Sequence, residues 1–83
     1  MICRVKLFAR ARDLAGAAEV SVELPAGATI KDVRAALARA YPALAGLLER
    51  SALAVQDEFA DNDLVIPPGA EVALLPPVSG GLL

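Results

Sequence analysis

Two short runs in which apolar and polar residues alternate with period two, followed by one stripe with helical spacing, leave this chain few ways to bury its apolar surface. In the first run Cys3, Val5, Leu7 and Ala9 alternate with Ile2, Arg4, Lys6 and Phe8, so one face of a strand over 2–9 is apolar. In the second, Val20, Val22 and Leu24 alternate with Glu19, Ser21 and Glu23, and Pro25-Ala26-Gly27 ends the strand. Arg10 to Ala15 reads as a short helical turn closed by Gly16, a residue suited to the left-handed position after a helix. The two strands joined by that turn are expected to pair as an N-terminal hairpin. The period then changes. Thr29 has the character of a helix N-cap, Asp32 places a carboxylate in the first turn, and Ile30, Val33, Leu37 and Tyr41 fall on one helical stripe. Arg34, Ala35, Ala38 and Arg39 take the other faces, and Pro42 stops the helix.

After a further short turn around Leu44, Leu47 and Leu48, strand-like text returns. A strand is expected over 53–56, a polar, turn-rich stretch over 57–63 surrounds the single Phe59, and Leu64-Val65-Ile66 is again apolar. Pro67-Pro68-Gly69 marks a turn before a last strand over 71–75. Strand, strand, helix and two or three more strands make an α+β fold with one main helix laid across a mixed sheet, the β-grasp arrangement. With 83 residues there is room for one domain, over 1–75, and for an extended tail over 76–83.

Composition excludes several function classes. At 57% hydrophobic residues the chain is no disordered tail, and a net charge of −2 argues against a nucleic-acid partner, which calls for a clustered basic face. The sequence contains no histidine, which removes the commonest general base and metal ligand and every Ser-His or Cys-His pair. Cys3 has no second cysteine to bridge to, and on the apolar face with Val5 and Leu7 it reads as a core residue rather than a redox centre. Asp57, Glu58, Asp61 and Asp63 lack the ligand spacing of a calcium loop and read as a solvated segment; no metal is expected. Lys6, Arg10 and Arg12 read as a solvated face. No run reaches the roughly 20 apolar residues of a membrane span, and no signal-peptide pattern opens the chain, so no membrane partner and a cytoplasmic location are expected.

The tail Pro76-Pro77-Val78-Ser79-Gly80-Gly81-Leu82-Leu83 is the specific part. Two prolines end the last strand and favour extended chain, and two consecutive glycines remove all side-chain bulk. At about 3.3 Å per residue the six residues from Pro76 to Gly81 span roughly 20 Å, enough to thread a narrow channel in another protein. On the last strand Val72 and Leu74 share one face and Glu71, Ala73 and Leu75 the other. If the first packs on the helix, Leu75 is exposed where the tail begins, and with Phe59 it would form an apolar docking patch.

The stretch from Gly69 to Gly81, ending in Pro-Pro-Val-Ser-Gly-Gly, resembles the C-terminal signature of the molybdopterin synthase small subunit, the MoaD branch of the MoaD/ThiS ubiquitin-like sulfur carriers. Val5 to Gly16 resembles the family's first strand and the turn after it. The resemblance implies a non-catalytic sulfur-donor subunit of a sulfurtransferase. Its terminal glycine, here Gly81, would be adenylated on a partner activating enzyme, which holds the ATP and magnesium, and converted by a sulfur donor protein to a thiocarboxylate. The tail would then enter the large synthase subunit and give sulfur to cyclic pyranopterin monophosphate. The chain itself would bind no cofactor. Carriers of the same fold that serve thiamine or another thiolation pathway, and ubiquitin-like protein modifiers, stand as alternatives. One departure stands out: the family's carriers end at the second glycine, whereas Leu82 and Leu83 follow it here. The two leucines are either trimmed before activation, or additions to the natural chain, or the mark of a member that is not a carrier.

Overall fold

A computed structural model describes residues 1–77. Five strands form one mixed sheet in the order β2-β1-β5-β3-β4. The strands are β1 (Ile2–Leu7), β2 (Glu19–Glu23), β3 (Ala52–Val55), β4 (Glu58–Phe59) and β5 (Val72–Leu75); the helices are α1 (Ala9–Ala15), α2 (Ile30–Ala40) and α3 (Ala45–Leu48), the last preceded by a 3-10 turn over Pro42–Leu44. This is the expected ubiquitin-like β-grasp. The first and last strands lie side by side and parallel at the sheet centre, Val5 opposite Val72 and Leu7 opposite Leu74. All other pairings are antiparallel.

Alternation fixes which face of the sheet is buried. Cys3, Val5 and Leu7 of β1, Val20 and Val22 of β2, Val72 and Leu74 of β5 and Leu53 of β3 point to one side. There they meet Ile30, Val33, Ala36 and Leu37 of α2 and Leu44, Leu47 and Leu48 of the segment after it. The α2 stripe is as expected except that Tyr41 is only half-buried, because the helix stops at Ala40 and Tyr41 turns the chain into the prolyl 3-10 segment. Its start is a capping box: the Asp32 amide donates to Thr29 Oγ1, and the Thr29 amide donates to the Asp32 carboxylate at 2.9 Å.

The N-terminal strands do pair antiparallel, but the connection is a seven-residue helix rather than one turn. β1 ends at Leu7, two residues short of expectation. Phe8 is still extended, and Ala9, with φ 51°, swings the chain into α1. Gly16 closes that helix in the left-handed conformation as expected, at φ 74°. The apolar run Leu64-Val65-Ile66 is not a sheet strand. It lies along the start of α2, where Val65 bridges Thr29 and the carbonyls of Asn62 and Leu64 accept from the first free amides of the helix, those of Lys31 and Ile30. Ile66 alone of the three is buried.

Arg34 also departs from the solvated role that its helical position suggests. Its guanidinium donates to the backbone carbonyls of Leu48 at 2.6 Å and Ser51 at 2.9 Å and to Asn62 Oδ1 at 2.8 Å. One side chain thus ties α2 to the end of α3 and to the 57–64 segment, satisfying carbonyls that a four-residue helix leaves free. Among the described residues no helix is long and apolar enough to cross a membrane.

Candidate functional site

Among the described residues no helix packs on the outer face of the sheet, and its two halves differ. In register across the strands, Glu19 of β2 lies opposite Lys6 of β1, Lys6 beside Ala73 of β5, Ala73 opposite Ala54 of β3, and Ala54 opposite Phe59 of β4. The half over β2 and β1 is therefore charged, and the half over β5, β3 and β4 is apolar. At the boundary the Lys6 ammonium pairs with the Glu71 carboxylate at 3.1 Å, an exposed contact worth about 0–1 kcal/mol.

Phe59 is 78% exposed, the most exposed large apolar side chain among the described residues. It is held by the β3–β4 hairpin, whose two turn residues, Gln56 and Asp57, both have positive φ (51° and 70°). That is the pattern of the two-residue turns whose twist matches a hairpin's strands. Leu75 is half-buried rather than exposed. β5 is an interior strand, so Leu75 has Ala52 opposite it on one side and Phe8, the residue after Leu7, on the other. Phe8, Phe59 and Leu75 surround a shallow depression of about 230 Å³, which Ala54, Ala73, Asp57 and Glu71 complete. The structure therefore brings together the two expected patch residues and adds a third. Phe8 carries a legible signal, an aromatic ring placed by period two on the same face as Arg4 and Lys6.

From Leu75 the chain leaves the sheet at Pro76, half-buried, and Pro77, exposed. Val78, Ser79, Gly80, Gly81, Leu82 and Leu83 lie outside the described residues. The depression thus sits at the root of the tail.

Other candidates fall into place around this patch. Cys3 is buried in the core, and burial raises its thiol pKa, which keeps it protonated and unreactive. Asp57, Glu58, Asp61 and Asp63 are all exposed, and among the described residues no group of carboxylates or cysteines is arranged to hold a metal. Arg10 and Arg12 are exposed on α1.

Comparison with known proteins meets this geometry. The chain is 35% identical to the molybdopterin synthase sulfur carrier subunit of Chlamydomonas reinhardtii over 98% of its own length and 100% of the relative's. It is 32% identical to the subunit of the same name from Arabidopsis thaliana, covering 94% of this chain and 81% of that one. A crystal structure of small archaeal modifier protein 1 from Haloferax volcanii superposes with a TM-score of 0.83 at 32% identity, covering 93% of this chain and 98% of that one. The ThiS family model matches residues 5–81, from the middle of β1 through the second glycine of the tail, so that only Leu82 and Leu83 follow the matched segment. With a sheet of this topology and a family match that runs from β1 through Gly81, the chain belongs to the ThiS family.

Proposed function

We propose that this chain is the sulfur carrier subunit of a molybdopterin synthase. The observation that carries the reading is the continuity of the apolar depression between Phe8, Phe59 and Leu75 with a tail of Pro-Pro-Val-Ser-Gly-Gly, in a chain whose whole-length relatives bear that name. The division of labour follows from what the chain lacks. Without histidine it has no ordinary proton shuttle, and its described carboxylates are exposed. It supplies a reacting carbonyl at the end of a slender arm and a surface by which partners grip it, and the partners supply the catalytic groups.

In this reading the Gly81 carboxylate attacks the α-phosphate of ATP on an adenylating partner, with magnesium held there, and pyrophosphate leaves. Hydrosulfide released by a sulfur donor protein then attacks the acyl-adenylate carbonyl and AMP leaves, giving the Gly81 thiocarboxylate. The large synthase subunit takes the tail, the sulfur bonds to cyclic pyranopterin monophosphate, and water cleaves the C–S bond to Gly81, restoring its carboxylate. The glycines matter for access: with no Cβ at 80 or 81, the backbone passes a constriction that other residues would block. Any residue beyond Gly81, Leu82 and Leu83 included, would fill that constriction, so this reading requires Gly81 to be the last residue when the chain is activated.

Intact-mass analysis tests this. The chain ending at Leu83 and a version ending at Gly81 are each incubated with the activating enzyme, ATP and a sulfur source. A gain of about 16 mass units, one oxygen replaced by sulfur, is expected on the shorter chain only. The same gain on the chain ending at Leu83 would overturn the role of Gly81. The likeness to a small archaeal modifier favours a second reading, in which Gly81 forms an isopeptide bond with lysine. A lysine adduct in the same assay, in place of the thiocarboxylate, would select it.

A further inference from the structure

The two edges of the sheet are built differently, and the longer one has the form of a second binding surface. At one edge β4 is only two residues long. At the other, β2 is a regular five-residue strand without proline, paired among the described residues on one side only. The hydrogen bonds continuing the β1–β2 ladder at either end, Leu7 amide to Ala18 carbonyl at 2.8 Å and Leu24 amide to Met1 carbonyl at 2.8 Å, fix the phase of that ladder. Val20 and Val22 turn their backbone groups toward β1, so Glu19, Ser21 and Glu23 turn theirs to the free edge. Beside this edge runs a groove of about 340 Å³ between β2 and α2. Ala36 and Ala40, one helical turn apart, give it small walls, Val22 adds apolar surface, and Arg39 and Glu23 stand along it.

Charge selects what fits. Glu19 and Glu23 are exposed, and the Lys6 ammonium opposite Glu19 is engaged by Glu71, the single ion pair found among the described residues. A second copy is a poor occupant: antiparallel self-pairing centred on Ser21 sets Glu19 against the other copy's Glu23, twice, with like charges directly opposed. A strand with cations at those two positions meets the opposite field. Its residues in between point toward the groove, where Ala36, Ala40 and Val22 accept small apolar side chains and Arg39 disfavours another cation.

We propose that the free edge of β2, with the β2–α2 groove, binds an extended peptide segment of a partner protein, carrying Lys or Arg at two positions four residues apart and small β-branched residues between them. The segment adds a sixth strand; its backbone bonds to Glu19, Ser21 and Glu23 supply affinity, and the alternation supplies selectivity. β2 lies two strands from β5, so this surface is separate from the depression at the tail root and remains open while the tail is engaged. The inference does not depend on the sulfur-carrier reading.

The test uses the full chain, labelled with 15N, and the capped peptide Ala-Lys-Val-Thr-Val-Lys-Ala, whose sequence reads alike in both strand directions. Titration is expected to shift the amide signals of Glu19, Ser21 and Glu23 and slow their hydrogen exchange, with the signals of Phe8, Phe59 and Leu75 unmoved. The peptide with both lysines replaced by glutamate should bind at least about tenfold more weakly. The double substitution Glu19→Lys, Glu23→Lys should reverse that preference. Ser21→Pro removes one outward amide and no β1 bond, so it should weaken binding about tenfold while the spectrum stays folded. Absence of shifts at residues 19–23, shifts centred on Phe59 and Leu75, or a charge reversal that leaves the preference unchanged would each overturn the proposal.

Discussion

The two faces of β5 carry the same residue type at adjacent positions and use it for different ends. Leu74 on the inner face is fully buried, sealed between Leu7 and Leu53 beneath the helices. Leu75 on the outer face is half-covered by neighbours in its own sheet and otherwise faces the open depression. A leucine enclosed on every side stabilises the fold; a leucine with one open side keeps part of its apolar surface for whatever docks there. The sheet thus divides its work by face, with cohesion inside and contact outside, and the tail begins where the two meet.

The sharpest way to break this comparison is to truncate the two leucines in turn. Leu74→Ala leaves a cavity in the core and is expected to cost about 2–5 kcal/mol in urea denaturation. In a domain this small that is a large share of the whole stability. Leu75→Ala should cost less, about 1–2 kcal/mol, since its side chain is only partly enclosed. Equal losses would show that the outer face is part of the core.

Next in size is the effect on partner binding. Phe59→Asp and Leu75→Asp are expected to lower affinity for the proposed partner, the large subunit of a molybdopterin synthase, by about 2 kcal/mol, roughly thirtyfold by calorimetric titration. For Phe59→Asp the urea midpoint should hardly move, because a side chain 78% exposed contributes little to folding. An unaltered affinity would remove the depression from the docking surface.

What could be read from the residues, and what could not, follows the same division. Inner-face positions were legible because period two and period 3.6 directly express burial. Cys3, Val5, Val20, Val22, Ile30, Val33 and Leu37 are all in the core, and the helix start could be read from Thr29 as N-cap and Asp32 in the first turn, though not their reciprocal hydrogen bonds. Positions whose environment is set by a distant segment were not legible. Arg34 looks like a surface residue until α3 and Asn62 arrive beneath its guanidinium from 14 to 28 positions away. Leu64-Val65-Ile66 has strand composition, yet the Leu64 carbonyl accepts from the Ile30 amide at the start of α2 and the Ile66 amide donates to the Ala28 carbonyl. The cover over Leu75 comes from β5 lying between β1 and β3, a parallel central pairing that no local pattern specifies. The depression itself was half legible: Phe59 stood out as an aromatic in polar surroundings, whereas Phe8 joins it only through the β1–β5 register.

The smallest expected effect concerns the turn that sets Phe59 on the outer face. Phe59 lies opposite Ala54 because the β3–β4 connection is two residues long, and both residues sit at positive φ. Glutamine and aspartate pay for that backbone in steric strain; aspartate tolerates it better, and glycine has no Cβ to strain. In a turn of this type the second position favours glycine most. Asp57→Gly relieves the strain but gives the unfolded chain more freedom, and the two effects oppose each other. The net gain is expected to be about 0.5 kcal/mol, or roughly 2–4 °C in melting temperature for a domain of this size. Asp57→Ala keeps a Cβ at φ 70° and loses the local hydrogen-bonding capacity of the carboxylate, so it should shift the melting temperature downward. A fall with glycine as large as that with alanine would mean that the Asp57 carboxylate, and not the backbone, holds the hairpin, and that Phe59 owes its place on the outer face to a side-chain contact rather than to the turn.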